Sequence, residues 1–313
     1  MKTNLIFRLL LVLAVTTTVI LAGCKKDEPA PQPPSTTESL QQLSIDDNNI
    51  QSISDENMDD AMNVVSGGGP LKATNMMWPC NANIDSTNVI NDTITYYITY
   101  NGLNCSEKFF RTGQVIVKRR AGIPWIQEGA TVSVQLIDFH ITRVATGQTV
   151  TLNGTQLFTN VSGGNIWMLG YGLDALVHRV QGYMNATFDD STTRMWYIAR
   201  QRTLTGTMGE LVMTIDGFGE ADGYTNLVTW GINRNGEQFY AQINEPVVHK
   251  QVCNADPCSG IIHYAIPSGD KSATITFGYD SNNQLITNGD CPTKYRLDWQ
   301  FDGNSGTFYL WLH

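Results

Sequence analysis

Basic side chains are scarce in this sequence. It has 20 Lys and Arg against 29 Asp and Glu in 313 residues, which gives a formal net charge of −9. The basic residues are dispersed, apart from the short Lys118-Arg119-Arg120 run. Proteins that bind nucleic acids need a basic surface to neutralise phosphates. The composition therefore predicts no nucleic-acid partner.

Recognisable catalytic motifs are also missing. The sequence has no G-x-S-x-G, H-E-x-x-H or phosphate-binding loop. Adjacent carboxylates occur at Asp59-Asp60 and Asp189-Asp190, but neighbours on a strand point to opposite faces and neighbours on a loop are usually solvated. The sequence thus predicts a protein that is not an enzyme and uses no cofactor. A carbohydrate-active enzyme whose two carboxylates come from distant strands is the alternative.

Long apolar runs are absent except at the start of the chain. Lys2 and Arg8 precede an almost unbroken apolar stretch from Leu9 to Leu21. A membrane-spanning helix needs about 20 apolar residues, so this stretch is marginal for a permanent anchor. A charged segment followed by a short apolar one is typical of a cleaved signal peptide, which we assign to residues 1–23.

The end of this signal carries a cysteine. Leu21-Ala22-Gly23-Cys24 resembles the lipobox of bacterial lipoproteins, in which the cysteine is lipidated and becomes the first residue of the mature chain. The following residues, Lys25, Lys26, Asp27 and Glu28, resemble the export signal of Bacteroidota surface lipoproteins. The resemblance implies that acyl chains on Cys24 anchor the protein to the outer membrane, with the cell surface favoured over the periplasmic face.

A flexible linker and a short helix are predicted next. Residues 24–53 are assigned to the linker, because Pro29 to Thr37 is rich in proline. Ser54-Asp55-Glu56 has the composition of a helix start, and apolar residues recur at helical spacing up to Gly67-Gly68-Gly69-Pro70. The sequence therefore predicts a helix over residues 54–66 that packs or tethers, with partner binding as the alternative.

Residues 74–313 have the pattern of an all-β domain. Runs such as "ATVSVQLIDFHITRV" and "RMWYIARQRTL" alternate apolar and polar residues and are rich in Val, Ile, Thr and aromatics. Asn-Gly and Asp-Gly pairs, including Asn153-Gly154 and Asp302-Gly303, are typical of tight turns. We predict one large antiparallel domain, a meander or sandwich, with a soft subdivision near residues 217–223.

The same region resembles a group of uncharacterised Bacteroidota lipoproteins. The resemblance rests on "WPCNANI", "ITYNGLNCSEKFFRTGQVIVKRR", "NRNGEQFYAQINEPV" and "NGDC", and covers the chain from Cys80 to its end. It implies a β-rich fold and an envelope location. It supplies no catalytic residues.

Five cysteines follow Cys24, and an exported chain meets an oxidising compartment. We predict a disulfide between Cys80 and Cys105. Cys291 is predicted to pair with Cys258 or Cys253, with Cys258 chosen for the assignment. A direct Cys253–Cys258 bridge is the local alternative.

A zinc site is the competing interpretation of the later cysteines. His249, Cys253, Cys258 and His263 lie close together in sequence and offer two thiolates and two imidazoles. Their spacing is not that of a familiar zinc knuckle, and Cys291 offers an oxidising partner. We therefore predict no metal site.

Aromatic residues give a hint of recognition. Glycines place Trp167 and Tyr171 in a predicted loop within "GGNIWMLGYGLD", where function tends to gather. Stacking of such rings on sugars predicts glycan binding, whereas packing within the sheet is the alternative role for each ring. The sequence as a whole predicts a lipid-anchored structural or interaction module of the envelope, with surface glycan binding as the alternative.

Overall fold

The computed structural model describes residues 36–65, 79–254 and 256–312. The predicted signal peptide, the lipidation site Cys24 and the export signal lie outside these ranges.

One antiparallel sheet of fifteen strands dominates the structure and confirms the all-β prediction. The hydrogen-bonded order follows the chain from β1 to β7 and continues from β10 to β15, so most neighbours in sequence are neighbours in space. The strands are β1 Ala82–Ser86, β2 Thr93–Leu103, β3 Phe109–Arg120, β4 Ala130–Arg143, β5 Thr149–Asn160, β6 Ala175–Phe188, β7 Thr193–Thr205, β8 Val212–Gly217, β9 Gly219–Ala221, β10 Tyr224–Ile232, β11 Gln238–Lys250, β12 Pro257–Ile266, β13 Lys271–Tyr279, β14 Lys294–Phe301 and β15 Asn304–Trp311.

The predicted subdivision near residues 217–223 is wrong. β8 pairs with both β7 and β11, while β9 pairs with β10. The described residues from Thr36 onward form one compact unit. The interruption in the strand pattern is a change of hydrogen-bonding partner within the sheet, not a boundary.

The predicted helix is much longer than its sequence pattern indicated. A single helix, α1, covers Thr36–Val65, so residues 36–53 are helical and the linker prediction is wrong for them. Its inward positions hold polar residues such as Asp46, Asp47 and Ser54 as well as Leu40 and Met58, all buried. That mixture conceals the helical repeat of apolar residues. Within the described ranges, no helix combines the length and the apolar character needed to span a bilayer.

The sheet curves around α1. Helix side chains pair with residues of β2, β3, β4, β5, β7, β10, β12 and β14, and the two elements share one apolar core. No flat sheet presents so many of its strands to one helix. The interior of the sheet is therefore filled by the segment that precedes it.

Buried ion pairs hold the helix in place. Asp47 accepts hydrogen bonds from Arg194, from the Tyr264 hydroxyl at 2.9 Å and from the Thr229 hydroxyl at 3.3 Å. A second cluster lies further along the helix, where Asp60 accepts from Arg111 and from the Tyr100 hydroxyl, each at 2.9 Å. Because buried charges are tolerated only when paired, these contacts fix how the helix sits in the sheet.

One Asn-Gly pair that resembles a turn lies inside a strand. Gly154 is within β5 at a positive φ of 150°, and a Cβ there would meet the Tyr183 carbonyl oxygen of β6 at 2.3 Å. Glycine is required at this position because two strands approach each other closely, not because the chain makes a tight turn. Asp302-Gly303, in contrast, does connect β14 to β15.

Two disulfides cross-link the β domain. Cys80 bonds to Cys105 as predicted, and Cys253 bonds to Cys291. The assignment of Cys258 to the second bridge is wrong: Cys258 is a free thiol at the start of β12. Cys253 lies instead in a short 3-10 helix after β11, next to the loop that carries Cys291.

Removing the first bridge tests its contribution. For the double variant Cys80→Ser/Cys105→Ser we expect a loss of about 3–4 kcal/mol in free energy of unfolding, because the bridge closes a long loop in the unfolded chain. Urea denaturation of the oxidised protein measures the loss. The control Cys258→Ser removes a thiol but no bridge and should change stability little; an equal loss in this control would contradict the pairing.

Candidate binding surface at one rim of the sheet

Alternate loops of an antiparallel sheet lie at the same end of its strands, so this sheet has two rims. We call one of them the loop rim; it consists of residues 87–92, 121–129, 161–174, 206–211, 251–254 and 280–293. The opposite rim consists of residues 104–108, 144–148, 189–192, 233–237, 267–270 and 302–303.

Contacts between neighbouring loops make the loop rim a continuous structure. Each loop touches the next through a backbone hydrogen bond, a side-chain hydrogen bond, close packing or a disulfide. The contacts are Ala121 N to Asp92 O at 2.6 Å, Gly164 N to Ile126 O at 2.7 Å, Gly170 against the Thr207 methyl, Gly209 N to Gln251 Oε1 at 2.8 Å, and the Cys253–Cys291 bridge. The loops therefore hold one another in fixed positions.

Exposed apolar side chains concentrate on this rim. Each loop of the rim has at least one exposed apolar side chain, and Trp311 at the end of β15 adds another. The exposed large apolar residues are Val89, Ile90, Ile126, Trp167, Met168, Tyr171, Met208, Val252, Leu285 and Trp311. Among the described residues of the opposite rim, Val144 is the one of this kind. The two ends of the sheet thus have different chemical character.

The loop with Trp167 and Tyr171 is the most prominent part of the loop rim. A short 3-10 helix, Ile166–Met168, carries Trp167, and the Asn165 side chain accepts a hydrogen bond from the Trp167 backbone N–H at 3.1 Å. The loop rests on a small separate core of Leu169, Leu176 and Leu211. Trp167 is 45 % exposed and Tyr171 is 82 % exposed, so both rings face solvent from a packed base. Their role in glycan binding remains a prediction.

Charged side chains of both signs lie near the exposed apolar residues of the loop rim. The Lys294 ammonium lies 4.5 Å from the centre of the Trp311 ring. The Lys118-Arg119-Arg120 run ends β3 at this rim and lines a shallow depression of about 460 Å³ together with Asp92 and Ser133. Such a mixture does not favour a strongly charged ligand.

A second group of aromatic residues lies on the outer face of the sheet. Tyr183, Tyr197 and Trp230 are directly opposite one another on β6, β7 and β10. Ring centres are 5.2 Å apart for Tyr183 and Tyr197 and 5.5 Å apart for Tyr197 and Trp230, the latter pair stacked. The rings therefore cover part of one another's faces, as cross-strand packing pairs do. Tyr197 is still 48 % exposed, and the row is accessible from solvent.

Polar groups lie beside this row. A shallow depression of about 630 Å³ is lined by Arg179, Gln181 and Phe218, among others. The Arg179 Nε donates to the Gln201 amide oxygen at 3.0 Å, and its guanidinium lies 5.1 Å from the centre of the Phe218 ring. Amide, guanidinium and aromatic groups together are suited to hydroxyl-rich ligands.

The residues considered for zinc do not form a site. Cys253 is oxidised in its bridge, and His263 Nδ1 lies 3.1 Å from the Thr274 hydroxyl within the sheet. Burial raises the pKa of the Cys258 thiol, which disfavours the thiolate that metals bind. Within the described ranges, no three His, Cys, Asp or Glu side chains are grouped so that they could hold a metal ion.

The adjacent carboxylates serve structural contacts. Asp60 is buried against Arg111, and burial raises its pKa despite that partner, whereas Asp59 is exposed. Asp190 lies in an exposed turn, where hydrogen bonds from Thr192 lower the pKa of its carboxyl against the opposing effect of burial. Neither pair provides two carboxylates across a cleft, which glycoside hydrolysis requires.

No family model, curated protein or solved structure matches this chain. The loop rim itself could not be recognised in the sequence, because each loop contributes only one to three apolar residues and the sheet topology alone brings them together.

Proposed function

We propose that this protein is a lipid-anchored envelope protein that acts as an interaction module, not as an enzyme, and that it binds through the loop rim. The observation that carries the proposal is the concentration of exposed apolar side chains on one rim of interlocked loops. Exposed apolar groups gathered at one place on a protein generally mark an interaction site. The lipobox-like Cys24 and the export-signal-like residues after it support the outer-membrane location.

Site-specific photo-cross-linking in living cells tests the rim. A photoreactive amino acid is placed at Trp167 or Val252 on the loop rim, and at Val144 on the opposite rim as the matched control. We expect adducts with envelope components from both loop-rim positions and few from Val144, because only the loop rim has a partner. Equal labelling at the two rims, or none at either, would contradict the proposal.

Glycan binding is the second candidate function, and the outer aromatic row favours it. Tyr183, Tyr197 and Trp230 form a row on one sheet face in which Tyr197 is exposed and the other two rings are half-buried. The row lies beside amide and guanidinium groups that can hydrogen-bond to sugar hydroxyls. The loop with Trp167 and Tyr171 offers a second place for the same chemistry.

Affinity electrophoresis in polysaccharide-containing gels separates these two glycan sites. If the outer row binds, Trp230→Ala should weaken retardation roughly tenfold or more, as loss of an aromatic anchor does at other binding sites. Trp167→Ala should then have no effect, and the reverse is expected if the loop binds. Wild-type mobility unchanged across neutral and acidic polysaccharides would remove the glycan candidate.

A further inference from the structure

We infer that the loop rim contacts the lipid bilayer itself at the headgroup interface. This inference rests on the proposed function, because it names the partner of the same surface.

The exposed apolar side chains of the rim are divided among separate loops. Val89, Ile126 and Leu285 lie on three different loops, and each loop supplies only one to three such residues. A protein partner needs one well-packed patch that it can match in shape. A bilayer interface adapts to several separate side chains that enter it side by side, so the arrangement favours lipid.

The residue types suit the interface. Trp and Tyr have an apolar ring with one polar group, and for that reason they gather at headgroup depth in membrane proteins. Trp167, Tyr171 and Trp311 are all exposed on the loop rim. The Lys294 ammonium beside Trp311 can remain among the headgroups while the ring enters more deeply.

The proposed anchor keeps a bilayer within reach. The chain between Cys24 and Thr36 spans at most about 40 Å even when fully extended. A folded domain held so close meets the membrane surface continually, and the effective concentration of lipid around the domain is high. Weak individual contacts by single side chains are then sufficient to orient the domain.

The charges on the rim indicate neutral lipid. The Lys118-Arg119-Arg120 run, Lys250 and Lys294 lie at strand ends on this rim. They are balanced by acidic residues on its loops, which are Asp92, Glu128, Asp174, Glu210, Asp280 and Asp290. Attraction to anionic lipid needs an excess of Lys and Arg, which the rim as a whole lacks. Contact should therefore occur on phosphatidylcholine and depend little on salt.

Intrinsic tryptophans provide the test. The mature lipidated protein is reconstituted in phosphatidylcholine vesicles whose acyl chains carry bromine, which quenches nearby indole fluorescence. We expect quenching in the wild type, and loss of most of it in Trp167→Phe/Trp311→Phe, because these tryptophans are exposed at the loop rim whereas Trp125 is buried there. The control Trp299→Phe removes a tryptophan near the opposite rim and should leave the quenched component in place.

A second measurement removes the anchor. The mature chain with Cys24→Ser is mixed with phosphatidylcholine vesicles and sedimented. Trp167→Ser should weaken partitioning roughly tenfold, the value expected for loss of one buried ring, whereas Val144→Ser should not change it. Equal quenching in Trp167→Phe/Trp311→Phe and in Trp299→Phe, or no vesicle binding without the anchor, would overturn the lipid inference.

The two proposals fail in different ways. Cross-links at Trp167 and Val252 without bromolipid quenching would keep the loop rim as a binding surface and identify its partner as protein or glycan. Absence of both cross-links and quenching would remove the rim as a binding surface altogether.

Discussion

Replacing Asp47 by Asn is expected to lower the free energy of unfolding by about 3–5 kcal/mol, the usual cost of removing one partner from a buried ion pair. Arg194 is fully buried, and its guanidinium would keep its charge without the carboxylate to which it is hydrogen-bonded. Asn is nearly the same size as Asp, so the change removes charge without creating a cavity. Urea denaturation of the oxidised protein measures the difference.

The control for this prediction is Asp302→Asn. Asp302 lies in the exposed turn between β14 and β15 at a positive φ of 48°, a conformation that Asn tolerates well. Its stability should match that of the wild type. A loss at Asp47 below about 1 kcal/mol, the range of exposed ion pairs, would show that the pair does not hold α1 inside the sheet.

Acid is expected to destabilise the protein through His178. This side chain is buried next to Trp125, and burial together with the charge of Arg202 lowers its pKa from 6.5 to about 3. The unfolded chain binds a proton below pH 6.5 that the folded protein cannot accept until about pH 3. Titration of His178 therefore does not affect the free energy of unfolding above pH 6.5. It lowers that free energy as the pH falls, by about 3 kcal/mol at pH 4.

The difference between wild type and His178→Phe isolates this effect. Phe keeps a ring beside Trp125 and cannot titrate, and the His178 Nε2 has no hydrogen-bond partner to lose. Asp46 and Asp60 act in the opposite direction, because burial raises the pKa of each and their contribution falls as the pH rises. Both are present in both proteins and cancel in the comparison. Parallel curves for wild type and His178→Phe would contradict the assignment.

The fold class could be predicted from sequence because it depends on local signals. Alternating strands and turns such as Asp302-Gly303 are visible in short windows, and successive strands pair in the sheet. The long helix could not be predicted in the same way. Asp47 is suited to an inward position only because Arg194, 147 residues later, neutralises it. The sequence shows a polar segment, whereas the fold supplies the partners that allow its burial.

Prediction of the disulfides and of the loop rim was limited in the same way, because both depend on contacts between distant parts of the chain. Cys80 and Cys105 are near in sequence, and their pairing was correctly predicted. Cys253 and Cys258 are equally plausible partners for Cys291 by spacing, and only the 3-10 helix after β11 selects Cys253. Trp167 and Tyr171 were recognised as loop residues, but Val252 and Leu285 became part of the same surface only through sheet topology.

The central position of α1 has a consequence for biogenesis. The helix is translated before every strand, yet its partners extend from Tyr100 to Tyr295. Contacts of such large sequence separation form late, so the helix cannot reach its final environment until nearly the whole chain is available. A nascent chain of this kind should remain incompletely folded during translation, and complete its structure only after the last strands have left the ribosome.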